Sequence, residues 1–343
     1  MTGMVGLCPS PERNRSVPWF LSLDPMAPLT NPFAAGRLLP ALALLAATVL
    51  WGSSFVAMKF AFRELHPLLV IFGRMLLAAL CFLPFVPSFT RLPLRRHHIL
   101  PLLAMGFFEP CLYFLLESAA LQRTSASQAA MITTMLPLLV AMAAGLLLGE
   151  RITMRTVAGF VVAAAGAIWL SLAGHATTAS PDPVLGNFLE FLAMVSATGY
   201  IILVKHLSRT LPPLFLTAVQ CFVGVAFFLP VLLLPGVGLP AAMHLPSILA
   251  VVYLGIGVSA GAYGLYNYGT SRLPASQAVA FINLIPVFTI LFGFFILQER
   301  LGLWQVVACL VVFAGVLLSQ DVAAEGAGSG TDGGGRQPRQ QKV

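Results

Sequence analysis

The sequence predicts an all-α integral membrane protein of ten transmembrane helices, arranged as two inverted five-helix repeats. Three observations carry that expectation. The chain is 58% hydrophobic and only 9% charged, against about 25% charged residues in a soluble domain. Its apolar residues fall in runs of about 20, long enough to cross the hydrocarbon core as helices. These runs lack the period-two alternation of a β-barrel. Finally, one stretch is written twice. ASQAAMITTMLPLLVAMAAGLLLGER at 126–151 returns as ASQAVAFINLIPVFTILFGFFILQER at 275–300, an offset of 149 residues without a gap.

The copies align Pro137 with Pro286 and Glu150-Arg151 with Glu299-Arg300, and the match continues to Gly166 and Gly315. Upstream the offset is 146. There Lys59 falls on Lys205, Pro67 on Pro213, Arg74 on Gln220, and Phe82-Leu83-Pro84 on Phe228-Leu229-Pro230. One unit of roughly 140–150 residues is therefore present twice.

Taken in order, residues 1–37 are polar and broken by Pro9, Pro11, Pro18, Pro25, Pro28 and Pro32. They lack the apolar core of a cleavable signal peptide and read as a disordered cytoplasmic tail. Translation starts at Met1 or at Met26. The first repeat, 38–173, holds spans at 38–60, 67–86, 100–121, 125–148 and 154–173. The second, 184–320, holds spans at 184–206, 213–234, 247–270, 274–297 and 303–319. Residues 321–343 are rich in glycine and polar groups and read as a second disordered cytoplasmic tail.

Five spans per repeat is an odd number, so the second copy enters the membrane from the opposite side, as in many secondary transporters. Ten spans put both tails on one side. Without the tails, that side holds eight Lys and Arg residues against four on the other. The positive-inside rule then places both termini in the cytoplasm of a plasma or inner membrane. Loop 174–183, which joins the repeats, has no Lys or Arg, as suits an external loop.

The net charge of +7 has the same origin. Basic residues sit at span ends and tails, no basic patch with interleaved aromatics exists, and no nucleic-acid partner is expected. Of the five cysteines, Cys8 is in the tail, and Cys81, Cys111, Cys221 and Cys309 lie inside apolar runs. That pattern predicts packing residues, without disulfides or metal ligands. HExxH, an intramembrane Asp pair and Walker motifs are all missing, so neither an enzyme nor a cofactor is expected.

This organisation resembles the drug/metabolite transporter superfamily, specifically its EamA-type permeases. The resemblance covers about residues 38–320. It rests on Trp51-Gly52-Ser53-Ser54-Phe55 with Lys59 in span one, Arg74 in span two, and the twin Ala-Ser-Gln…Pro…Glu-Arg blocks. It departs in span six, where Ala197 stands at the position of Trp51. The resemblance implies a 5+5 inverted-repeat transporter with a central cavity, in many members exporting amino acids or other small metabolites.

An ionisable group inside the bilayer costs about 2.5–3.5 kcal/mol on insertion scales and needs a partner or a purpose. Arg74, Glu109, Glu117 and Glu190 are such groups. By helical rise Arg74 lies roughly 10 Å inside the external end of its span, Glu117 about 6 Å and Glu109 about 18 Å. Arg74 and Glu117 are thus the better level match. Arg74 either grips a substrate carboxylate in a bidentate fork or forms a structural ion pair with Glu117. Glu109 precedes Pro110, which should kink span three. It either titrates, with protons as the candidate coupling ion, or stays protonated and bonded to a neighbouring helix. Glu190 is close to the external end of span six.

The small residues Gly52, Ser53 and Ser54 beside Trp51 either face a cavity or allow close helix packing. Tyr263, Tyr266 and Asn267 share a helix face, for the cavity or for an interfacial belt. Tyr266 stands at the repeat position of Glu117. Asn283 precedes Pro286 by three residues as Thr134 precedes Pro137, and matched polar-plus-proline positions point to a midplane site. Pro137 and Pro286 are the expected helix breaks for gating. Glu150-Arg151 and Glu299-Arg300 are expected as loop anchors, and Gln128 and Gln277 as entrance residues or helix caps.

The expected cavity is lined by Trp51, Ser53, Ser54, Arg74, Glu109, Tyr113, Glu117, Tyr263, Asn267 and Asn283. Its expected cargo is a small polar or amphipathic metabolite, exported by alternating access, with the resemblance pointing to amino acids. A flippase for a lipid-linked substrate and a non-transporting sensor or scaffold are the alternatives.

Overall fold

The computed structural model describes residues 38–148, 153–237, 244–273 and 275–320. The two tails and the Glu150-Arg151 anchor lie outside the described residues, as does the side chain of Gln277. Among the described residues nine helices are long and apolar enough to cross a membrane. They are α1 (Leu38–Ala61), α2 (Pro67–Phe89), α3 (Arg96–Leu121), α4 (Ala126–Ala143), α5 (Met154–Leu172), α6 (Pro183–Leu207), α7 (Pro213–Leu233), α8 (Leu245–Arg272) and α9 (Ala278–Leu297). A tenth, α10 (Leu303–Ser319), is apolar and shorter. No β-strand forms among the described residues, whose one isolated bridge joins Thr177 and Ser180. The protein is thus an all-helical, multi-pass membrane protein.

Helix starts follow from local chemistry. Ser125 Oγ accepts from Gln128 N at 3.1 Å, Thr153 Oγ1 from Thr156 N at 3.2 Å, and Asp182 Oδ1 from Leu185 N at 3.1 Å. Each satisfies an amide that the first helical turn leaves unpaired. Pro67, Pro183 and Pro213 open their helices, where a missing N–H is harmless.

Four helices are interrupted at equivalent places. In α3 the backbone leaves helical geometry at Glu109 (φ −148°, ψ 117°), and residues 107–112 form a wide turn. The carbonyls of Phe108 and Glu109 accept instead from Ser196 Oγ at 2.7 Å and Gln220 Nε2 at 3.4 Å. In α8 a wide segment spans Tyr253–Ala262, which overlaps the same repeat position. Likewise α4 breaks at residues 134–135 ahead of Pro137, and α9 tightens over Phe281–Leu284 ahead of Pro286. Such interruptions inside helices occur often at functional sites.

Packing pairs the halves. The helix α1 lies on α8 and α9, while its repeat mate α6 lies on α3 and α4. Similarly α2 packs on α7 and α8, and α7 on α2 and α3. The remaining pair, α5 and α10, pack on each other through glycines. A Cβ on Gly159 would stand 2.6 Å from the Gly315 carbonyl. At the α1–α9 crossing a Cβ on Gly52 would meet Phe288 Cβ at 2.7 Å. Thr289 Oγ1 also donates to the Gly52 carbonyl at 2.8 Å. Close packing is therefore what Gly52 supplies.

Loop anchors repeat as well. Lys59 Nζ donates to the Thr124 carbonyl at 2.6 Å and to Ala179 O at 3.0 Å. Its mate Lys205 donates to Thr270 O at 2.9 Å and Leu273 O at 2.7 Å. Each lysine thus ties the end of its helix to the end of the third helix of its own half or just past it, and Lys59 also reaches the loop that joins the halves. Glu299, just past α9, accepts from Ala126 N at 3.0 Å, Ser127 N at 3.0 Å and Ser127 Oγ at 2.6 Å. A carboxylate at these amides suits the positive end of α4. Because α9 ends where α4 begins, the two copies of the duplicated stretch run antiparallel.

Candidate functional site

Between the interrupted helices lies a small, mostly filled cavity of about 40 Å³. Its walls come from both halves in matched positions. At the offsets of 146 and 149, Trp51 pairs with Ala197, Ser54 with Tyr200, Phe55 with Ile201, Phe114 with Tyr263, Glu117 with Tyr266, Thr133 with Ile282 and Leu136 with Ile285. All fourteen line the cavity. Four wall residues have no wall mate: Arg74, Glu109, Tyr113 and Met194. The ionisable carboxylates and the guanidinium thus come from the first half, and the second half answers with tyrosines.

Arg74 is only 1% exposed. Its Nε donates to Ser259 Oγ at 2.9 Å, Nη1 meets Met58 Sδ at 3.5 Å, and its Cζ sits 4.3 Å over the Phe114 ring. The stacking holds the guanidinium flat against the Phe114 ring. The expected pairing with Glu117 is corrected. Among the described residues no carboxylate lies within ion-pair distance of Arg74. Glu117 accepts instead from Tyr113 Oη at 2.8 Å, one turn along α3. Glu109 accepts from the hydroxyl of Tyr263. Both carboxylates are buried.

Trp51 packs edge-on against Tyr263, with centroids 5.2 Å apart, and tilts on Tyr266 at 4.9 Å. Its indole Nε1 is buried and has no hydrogen-bond partner. Ser54 lines the cavity, but its hydroxyl donates to the Trp51 carbonyl at 2.7 Å.

Three expected wall residues lie elsewhere. Ser53 is one residue, or about 100° of helix turn, from Ser54, and it faces away from the cavity. Its Oγ is 2.5 Å from Tyr253 Oη, in a separate lateral groove of about 360 Å³ lined by apolar residues such as Phe60, Leu249 and Ile296. Asn267 stands behind the wall. It accepts from Tyr200 Oη at 2.6 Å and donates to Thr217 Oγ1 at 2.9 Å and Gln220 Oε1 at 3.0 Å. The mate of Arg74, Gln220, is thereby committed to holding Tyr200 and the broken turn at Glu109. Asn283 is off the wall, with its Oδ1 unpartnered. Pro137 and Pro286 sit just past the helix breaks that carry Thr133 and Ile282 to the cavity. Gln128 accepts from Asn187 Nδ2 at 3.0 Å and glues α4 to α6.

Sequence reasoning missed Tyr200, Ser259 and Thr133. The repeat alignment holds a signal for the first, since Tyr200 is the mate of Ser54. Ser259 and Thr133 are neutral hydroxyls in apolar runs and carry none. Among the described residues no three His, Cys, Asp or Glu side chains gather as metal ligands. The wall thus combines one buried cation, two buried carboxylates and an aromatic floor.

The EamA-like transporter family model matches the chain twice, at residues 38–172 and 184–320. A protein named an uncharacterized transporter from Archaeoglobus fulgidus is 27% identical over 285 residues, 80% of this chain and 96% of its own. A "Probable terminal-alkyne amino-acid exporter" from Streptantibioticus cattleyicolor is 27% identical over 286 residues, 80% of this chain and 91% of its own. One crystal structure superposes with a TM-score of 0.60 at 21% identity, covering 84% of this chain and 99% of that one. That likeness speaks for the fold alone.

Proposed function

The chain belongs to the EamA-like transporter family, and from that premise we propose that it is a secondary carrier for a small amphipathic carboxylate, with amino acids foremost. One observation carries the reading. Arg74 is buried at the cavity wall, braced by Ser259 and Phe114, without a carboxylate in contact. A buried charge without a bonded counter-ion is costly; Glu109 and Glu117 act on it only from beyond ion-pair distance, and an anionic substrate group is the partner that it lacks. The amino-acid exporter named above supports the substrate class.

The architecture in this reading is an inverted repeat. Support comes from the antiparallel course of α4 and α9, the matched cavity walls and the two family matches. Alternating access then follows as a rocking of the halves about the cavity, with the broken helices at Pro137 and Pro286 as its hinges. The positive-inside count puts both termini in the cytoplasm of a plasma or inner membrane. Transport runs outward, and Glu109 is the candidate group for coupling to protons, since its bond to Tyr263 lies within the substrate space.

The test is flux of a radiolabelled amino-acid panel in proteoliposomes, with and without a pH gradient. Saturable flux of one amino acid is the expected result, and no flux across the panel would refute the substrate class. A flippase is the second reading, favoured by one observation. The lateral groove opens between α1, α8 and α9, with the Ser53–Tyr253 pair at its wall. Scrambling of a fluorescent lipid-linked sugar, without amino-acid flux, would select it.

A further inference from the structure

Glu190 on α6 is fully buried, and neither of its carboxylate oxygens has a hydrogen-bond partner. A bare carboxylate in such a place costs several kcal/mol. The position does not require one: in the first half its mate, at the offset of 146, is Leu44, equally buried. An aliphatic residue thus fits this packing, and the glutamate serves something other than the core.

Its place suggests what. Glu190 continues the face of α6 whose Met194, Ala197 and Ile201 line the cavity, one turn beyond Met194. It lies about 10 Å from the helix start at Pro183. One turn further out, Asn187 bonds to Gln128, Thr124 and Ser171, and Asp182 caps the helix. Inward, Glu117 acts on Glu190 electrostatically, and Tyr113 links Glu117 toward the cavity. A column of polar groups thus runs from the Asp182 end of α6 to the cavity, with Glu190 as its one unpartnered member.

Among the described residues, the cations nearest the outer end of α6 are Lys59, which donates to the Thr124 carbonyl, and Arg123, which donates to the Ala119 carbonyl, and neither is bonded to Glu190. From α3, Glu117 and Tyr113 face it, with Glu109 deeper. Its neighbour α4 has no titratable residue between Ala126 and Ala143, and α5 has only Arg155, at the end away from Ser171. From α8, Tyr263 and Tyr266 reach only the cavity. Arg74 on α2 acts on Glu117. A proton is the smallest species that neutralises Glu190 here.

We infer that Glu190 is a proton-binding relay that passes protons between the external end of α6 and Glu117 at the outer end of the cavity. The step is a transfer of one proton from carboxylic acid to carboxylate, with no other bond changed. This rests on the carrier reading above and adds a second carboxylate to it.

The experiment uses the full chain in proteoliposomes, with two readouts. Infrared spectra recorded during exchange from H2O to D2O follow the carbonyl band of protonated carboxylic acids. A relay predicts a band that shifts within minutes and is missing in Glu190→Gln. A band that stays unshifted for hours, or one unaltered in the variant, would overturn the relay. The second readout uses whichever labelled amino acid the wild type carries. Under a one-unit pH gradient a carrier moving one proton per substrate accumulates about tenfold. Glu190→Gln should lose that accumulation and keep gradient-free exchange. Accumulation at the wild-type level, or loss of exchange as well, would overturn the proposal. If the wild type carries no amino acid, the carrier reading fails, and the infrared readout still decides Glu190. Should Glu190→Gln fail to fold, Glu190→Asp is used in its place: the relay predicts a displaced band that still shifts, and a band identical to the wild type's would refute it.

Discussion

Replacing Arg74 with glutamine gives the first half the residue that the second half has at Gln220. The amide retains a group able to bond Ser259, and the charge is lost. In the bound state two charge-assisted bonds from the guanidinium edge to a carboxylate are each worth about 1.5–3 kcal/mol. Losing them, with partial compensation by the amide, leaves a deficit of about 3 kcal/mol, or roughly two orders of magnitude in Kd. Stability should change little. The cation–π contact with Phe114, worth about 1–2 kcal/mol, disappears together with the desolvation burden of a buried charge, which is of similar size or larger. The assay is equilibrium binding of a labelled amino acid to purified Arg74→Gln, beside thermal unfolding in detergent. The corresponding decarboxylated amine serves as a control and should lose no more than about threefold. Unchanged amino-acid affinity, or an equal loss for the amine, would refute the reasoning.

Other expectations follow from the same geometry. Trp51→Phe keeps the aromatic contacts with Tyr263 and Tyr266 and removes an unpartnered donor. It should raise KM by about fivefold, the worth of one neutral hydrogen bond, with no fall in Tm; steady-state flux and thermal unfolding check both. Glu299→Gln weakens three bonds to the start of α4 and should lower stability by about 1–2 kcal/mol, seen as a lower Tm in detergent. Glu64, in the loop between α1 and α2, accepts from His244 N at 3.0 Å and lies 2.8 Å from its ring. The backbone N–H of His244, chiefly, holds the Glu64 carboxyl below the usual glutamate range. The contact is therefore fully present above that range and is lost as pH falls through the lowered value. Hydrogen exchange at the His244 amide should stay slow into mild acid and accelerate only below the ordinary glutamate pKa.

Much of this was legible in the sequence, and the misses share causes. The all-helical membrane class came from apolar run length, and the helix breaks at Pro110, Pro137 and Pro286 from proline positions. Depth along a helix was also readable, because rise per residue is constant, and it put Arg74 and Glu117 near one level. Lateral distance was not. Arg74 turns to Ser259 and Phe114, while Glu117 turns to Tyr113 on its own helix. Helix rotation was the second gap. A span that is apolar all round has no polar stripe to set its phase, so Ser53 and Ser54 looked alike. In α8, Tyr263 and Tyr266 reach the wall, while Asn267 turns to Thr217 and Gln220 behind it.

The central claim is that two halves expose one cavity to each side in turn. Entrance counterflow tests it most directly. Proteoliposomes loaded with the unlabelled amino acid, without any ion gradient, receive trace label outside. The account predicts a transient overshoot of label above equilibrium, absent from empty vesicles and abolished by Arg74→Gln. Simple equilibration without overshoot, in wild-type vesicles that do pass the label, would contradict alternating access and describe a channel instead.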